Sequence, residues 1–92
     1  TQGPPLPKEG INLEFFYSTE QNELENLVAD LMRTLEFQMK IVGGGMEEYK
    51  GKTVCSMIVN LPQNLTEKAC AYLTQRGVRW RLMCRGEEDK VQ

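Results

Sequence analysis

Four short stretches of this chain alternate apolar and polar residues, and two carry helical spacing. Ile11, Leu13, Phe15 and Tyr17 alternate with Asn12, Glu14, Phe16 and Ser18, the two-residue period of a strand. Ser18 with Gln21 three positions later has the form of a capping box. Leu24, Leu27, Val28, Leu31 and Leu35 then recur on one helical stripe, with acidic residues early and Arg33 late, as the helix dipole favours. This spacing predicts a helix over residues 19 to 35. Phe37, Met39 and Ile41 alternate with Gln38, Lys40 and Val42, a second strand. The run TVCSMIVNL, residues 53 to 61, is apolar on both faces and reads as a central third strand ended by Pro62. Asn64 with Glu67 predicts a cap for a second helix. Leu65, Ala69, Tyr72 and Leu73 form its stripe, and Gly77 occupies the left-handed C-cap position. Val78, Trp80, Leu82 and Cys84 alternate with Arg79, Arg81, Met83 and Arg85, a fourth strand.

The order is βαββαβ. Right-handed crossovers place both helices on the same side of the sheet. The expected fold class is therefore α+β, a ferredoxin-like four-stranded antiparallel sheet with two helices on one face and the first and third strands central. Trp80 is expected in the core beneath the second helix. The opposite sheet face has no helix over it; Phe16, with Met57 or Met83, is expected to point there. Such a half-apolar uncovered face commonly makes a dimer or domain contact. Residues 1–10 read as a linker, held extended by Pro4, Pro5 and Pro7; 11–85 as the folded domain; and 86–92, GEEDKVQ, as a solvated tail. With no initiating Met, the chain is expected to be a domain of a longer cytoplasmic protein.

Composition narrows the chemistry. Ninety-two residues suffice for one small domain. The balance is mildly acidic, 13 Asp plus Glu against 11 Lys plus Arg, which argues against general nucleic-acid binding. Cys55, Cys70 and Cys84 form no CxxC pair and the chain has no histidine, so neither a structural zinc site nor a Ser–His triad is expected, and no cofactor is called for. The three cysteines read as reduced, half-buried apolar residues. No apolar run approaches a membrane span, and no signal peptide is visible.

The segment GGGMEEYKGKT, residues 43 to 53, ends like a phosphate-binding loop. The motif G-x-x-x-x-G-K-[ST] requires a glycine at position 46, where this chain has Met46, and a helix after Thr53, where the pattern predicts a strand. Glu47 and Glu48 would also repel the anion. A nucleotide site is rejected. The favoured reading is that Gly43 to Gly45 permit a bulge or a left-handed residue before a hairpin, leaving residues 43 to 52 a bare corner. The sharper alternative is that bare backbone admits a ligand or a neighbouring subunit. Glu47–Glu48 and Glu87–Glu88 read as solvated turns. Arg79, Arg81 and Arg85, sharing a face with Met83, read as an edge-strand row of charge that discourages edge pairing, with carboxylate or phosphate recognition as the alternative.

The chain also resembles the NIL domain, an ACT-like, ferredoxin-like module. The likeness rests on Leu13-Glu14-Phe15 in the first strand, the Ile41-Val42 step, the turn Met46 to Glu48, and Gly51 before the central strand. It continues through Ala69, Leu73, Gly77 and Val78 at the end of the last helix, and Leu82, across residues 11 to 84. The family's Asn-Ile-Leu step reads Lys40-Ile41-Val42 here. The resemblance implies a non-catalytic regulatory, substrate-sensing domain of an amino-acid, above all methionine, ABC importer's ATP-binding subunit. The parent chain would be the ATPase. It further implies a homodimer through sheet or strand edge, a small amino-acid ligand, no nucleic acid and no direct membrane insertion. The location implied is cytoplasmic, peripheral to the inner membrane as part of a transporter. The ligand-facing group it suggests is Lys40, Ile41, Val42, Gly43, Gly44, Gly45 and Met57: glycine amides or Lys40 for a carboxylate, Ile41 or Met57 for a side chain. The other reading is a protein–protein adaptor or dimerisation module with no small-molecule ligand. A ferredoxin-like RNA-binding domain is disfavoured by the acidic balance and by the lack of paired exposed aromatics on the central strands.

Overall fold

The computed structural model describes residues 6–18 and 24–83. The elements are β1 (Ile11–Ser18), α1 (Leu24–Thr34), β2 (Lys40–Tyr49), β3 (Lys52–Leu61), a 3-10 turn (Gln63–Leu65), α2 (Thr66–Gln75) and β4 (Arg79–Met83). The sheet runs β2-β3-β1-β4 with all neighbours antiparallel, so β1 and β3 are central and the fold is the ferredoxin-like α+β arrangement that the pattern predicts. Gln21, Cys84, Arg85 and the tail lie outside the described residues.

The register explains the core. Leu13 stands opposite Val59 and Leu82, and Phe15 opposite Met57 and Trp80. That face meets Leu27, Leu31 and Leu35 of the first helical segment and Leu65, Ala69 and Leu73 of the second. Leu13, Phe15, Leu31, Leu35 and Leu73 are wholly buried. Trp80 packs against this cluster, and its indole N–H donates to Thr74 Oγ1 at 2.9 Å, which satisfies the one polar atom of a largely apolar side chain.

Both helices close with the same backbone device. After α2, the Val78 amide donates to Leu73 O at 2.8 Å and the Gly77 amide to Thr74 O at 3.0 Å, with Gly77 at φ 75°. This is a Schellman cap with glycine at the left-handed position, as its place in the sequence predicts. After α1, Phe37 donates to Met32 O at 2.8 Å and Glu36 to Arg33 O at 3.0 Å. Here the left-handed residues are Glu36 (φ 57°) and Phe37 (φ 61°).

That second cap corrects the expected second strand. Phe37 belongs to the turn and is 71% exposed, and β2 begins only at Lys40. Of the alternating set Phe37, Met39 and Ile41, Met39 alone is buried. A second correction concerns residues 43 to 52. They are not a bare corner: β2 continues through Gly43–Gly45 to Tyr49, paired with β3 throughout. A bulge does occur, between Ile41 and Gly43. The turn itself is only Lys50 (φ 53°) and Gly51 (φ 79°), between the paired residues Tyr49 and Lys52. Positive φ at both residues of a two-residue loop matches the right-handed twist of the strands it joins. Third, Asn64 lies within the 3-10 turn and caps nothing: α2 starts at Thr66 with no side-chain cap bond from Leu65, the residue before it.

Candidate functional site

The face of the sheet away from the helices can be read row by row from the register. Lys40, Asn60, Asn12 and Met83 form one row; Gly43, Ile58, Glu14 and Arg81 the next; Gly45, Ser56, Phe16 and Arg79 the third; Glu47, Val54 and Ser18 the fourth. Over β2 the two middle rows end in glycine, so the sheet surface drops from the side chains of β3 and β1 to bare backbone. Glu14, Phe16, Gly45, Ser56 and Arg81 are among the residues lining a shallow depression of about 190 Å³ there.

Each side of this surface has its own chemistry. Glu14 is only 8% exposed because β3 and β4 flank it, and its Oε1 accepts from Arg81 Nε at 2.8 Å. The Arg79 guanidinium lies 5.6 Å from the centre of the Phe16 ring, covering an otherwise open aromatic. At the far corner Asn60 Nδ2 donates to Asn12 Oδ1 and to Glu9 O, both at 2.9 Å, and Asn12 Nδ2 donates to Pro7 O at 2.9 Å. The lead-in from Pro7 to Gly10 is thereby tied to the two central strands.

The structure divides the sequence-derived ligand group. Lys40, Gly43 and Gly45 share the open face. Ile41 and Gly44 turn to the helix side, and Val42 is the bulged residue between the two sets. Met57, paired with Gly44, also faces the helices and packs against the core, whereas Phe16 and Met83 lie on the open face. A ligand on the open surface would therefore meet Lys40 and the Gly43 and Gly45 backbone, with Ile58 and Ser56 beside them, rather than Met57.

Gly44 answers a packing requirement. A Cβ there would lie 2.7 Å from the Ser56 carbonyl oxygen, whereas one at Gly43 or Gly45 would make ordinary contacts of 3.5 and 3.7 Å. The bulge draws the β2 backbone against β3 at this point, and only glycine fits. Gly43 and Gly45 are not demanded by packing, and their bareness is available for something else.

The Glu14–Arg81 pair and the Asn12–Asn60 pair are the functional-face features that sequence reasoning missed. The arginines were visible as a row, and the fold placed β4 beside β1. The register that sets Arg81 opposite Glu14 was not readable. Arg81 does more than guard an edge: it neutralises a nearly buried carboxylate.

The NIL domain profile matches residues 13–81, which is most of the chain. This chain belongs to the NIL domain family. Its relatives include the methionine import ATP-binding protein MetN of Wolinella succinogenes, 30% identical over 78 residues, 85% of this chain and 25% of that protein. MetN of Clostridium tetani is 24% identical over 78 residues, 85% of this chain and 24% of that protein. MetN of Clostridioides difficile is 30% identical over the same length, again 85% of this chain and 24% of that protein. The chain spans about a quarter of the length of these relatives. Within the NIL domain described here, no helix among the described residues is long and apolar enough to cross a membrane.

Proposed function

We propose that this NIL domain is a non-catalytic, substrate-sensing module of an amino-acid importer's ATP-binding subunit, with methionine as the first ligand to test. The observation that carries the reading is the family match, joined to relatives named as methionine import ATP-binding proteins. The open sheet face supports it. Gly43 and Gly45 leave a bare ledge beside Ile58 and Ser56, Lys40 stands at one end, and the Glu14–Arg81 pair borders the depression. An amino acid presents a carboxylate, an ammonium and a side chain. Lys40 or β2 amides serve the first, a carboxylate of the face the second, and Ile58 an apolar third.

In this reading, modules act in pairs and ligand held at the pair shifts the attached ATPase domains toward a resting arrangement. The shift can be no larger than the ligand's difference in affinity between the two arrangements. Titration calorimetry on the 92-residue chain with a panel of L-amino acids tests the proposal. Saturable heat for methionine above its polar isosteres is expected; a flat response to the whole panel refutes sensing.

The second reading, a dimerisation module with no ligand, is favoured by one residue. Lys40 stands where the resemblance places the family's asparagine, a long cation in place of a short amide. Under it, the panel stays silent while self-association persists.

A further inference from the structure

The segment that leads into β1 is docked on the open face. Asn12 lies on the side of the sheet that has no helix, yet it is only 4% exposed. Its cover comes from the lead-in: Leu6 and Pro7 are half-buried, and Asn12 Nδ2 donates to the Pro7 carbonyl. Asn60, its partner on β3, uses Nδ2 twice, toward Asn12 Oδ1 and toward the Glu9 carbonyl. Residues 7–10 have no strand partner, so their carbonyls need donors from elsewhere, and the two side-chain amides supply them. Gly10 then turns the chain into β1 at φ 73°. A Cβ there would stand 2.8 Å from the Leu61 carbonyl oxygen and 3.3 Å from Asn60 Oδ1, so only glycine lets the turn lie this close to β3.

The clasp is next to the glycine ledge. Lys40 is the register partner of Asn60 across β2 and β3, and both face the open side. Asn60 Oδ1 accepts no hydrogen bond among the described residues, although Nδ2 of the same amide holds the lead-in.

We propose that residues 7–10 are a strap whose docking on the Asn12–Asn60 clasp reports occupancy of the ledge to the N-terminal side of the domain. This rests on the substrate-sensing reading above and gives it a path from ligand to neighbouring chain. An amino acid whose carboxylate meets Lys40 has its ammonium beside Asn60 Oδ1, an acceptor additional to the carboxylates of the face. Charge against that oxygen polarises the amide, fixes its rotamer and strengthens the bonds that its N–H groups donate. Ligand and strap then hold one another in place, and the effect is reciprocal: the factor by which methionine favours docking is the factor by which docking favours methionine.

Backbone order and amide exchange in the 15N-labelled 92-residue chain test the proposal, with circular dichroism to establish that each variant is folded. In the parent, the amides of Lys8, Glu9 and Gly10 are expected to have order parameters near those of β1, about 0.85. Asn60→Asp sets a carboxylate against two carbonyl oxygens and is expected to bring the strap below about 0.6 while β1 keeps its own values. Asn60→Val, which removes the amide without adding charge, is expected to do the same. Asn64→Asp makes the same charge change at an exposed residue outside the clasp and is expected to leave the strap ordered. Saturating methionine is expected to slow exchange of the strap amides in the parent by about fivefold. Gly10→Ala displaces the strap without touching the ledge and is expected to weaken methionine binding in calorimetry by about the same factor. A strap already disordered in the parent, or one still ordered in whichever Asn60 variant folds, overturns the clasp. Methionine heat with strap exchange unchanged, or with Gly10→Ala binding as tightly as the parent, overturns the coupling and leaves sensing intact. No methionine heat in the parent removes sensing, and this use of the strap with it.

Discussion

At the scale of single residues, two backbone positions are held at a cost that substitution can reveal. Glu36 fills the left-handed slot of the α1 cap, the place that Gly77 fills after α2. A side chain with a Cβ is disfavoured there by about 1 kcal/mol, so Glu36→Gly is expected to stabilise the fold by ~0.5–1 kcal/mol in urea denaturation. Gly44 is the reverse case. Gly44→Ala drives a Cβ into the Ser56 carbonyl and is expected to cost about 1–3 kcal/mol, while Gly43→Ala, with only Ile58 Cδ1 at 3.5 Å, stays near neutral. Comparing the two alanine variants by the same denaturation curves separates packing glycine from surface glycine. These details also show where the sequence stops speaking. GGG announces that something is close or bent, but which glycine is indispensable depends on where a bulge brings one strand against its neighbour's carbonyl.

At the scale of elements, periodicity served well wherever one face was buried and the other wet. β1, β4 and the α2 stripe followed their periodicity closely, because a one-residue slip would turn every core side chain outward, and β3, apolar on both faces, took the central place that pattern predicts. β2 did not. As an edge strand rich in glycine it has little buried apolar surface to print a pattern, and the alternation at Phe37 was an accident of a helix cap. The candidate site lies on that same strand, so its residues could be named from the sequence while their faces could not. Strand pairing also assigns unequal roles to the arginines of β4. Arg81 neutralises the nearly buried Glu14, whereas Arg79 rests on Phe16 at the surface. Arg81→Ala strands a carboxylate and is expected to cost about 1–2 kcal/mol, against less than about 1 kcal/mol for Arg79→Ala, measured by chemical denaturation.

At the scale of the whole molecule, the helices and sheet are joined by one core, and three groups packed against it, Tyr17, Cys70 and Tyr72, lean the same way. Burial raises the Cys70 thiol above its ordinary 9.0, with Glu67 adding to the rise. Burial also raises the Tyr17 and Tyr72 hydroxyls above 10.0, helped at Tyr17 by Cys55; at Tyr72 the nearby Arg76 opposes the rise and Asp30 adds to it. A group with a raised folded pKa holds its proton more firmly in the native state. Its contribution is whole below the unfolded pKa and is lost as pH rises through the folded one. Stability should accordingly be flat through neutral pH and fall from about pH 9 upward, as read from urea midpoints across an alkaline series.

The most direct measurement of the central claim is a titration of the 15N-labelled chain with L-methionine, followed by amide chemical shifts. Saturable shifts concentrated at Lys40, Gly43 and Gly45 and at Ser56 and Ile58 beside them are the expected result. Saturable shifts confined to the helix layer, or none at any ligand concentration, would contradict it.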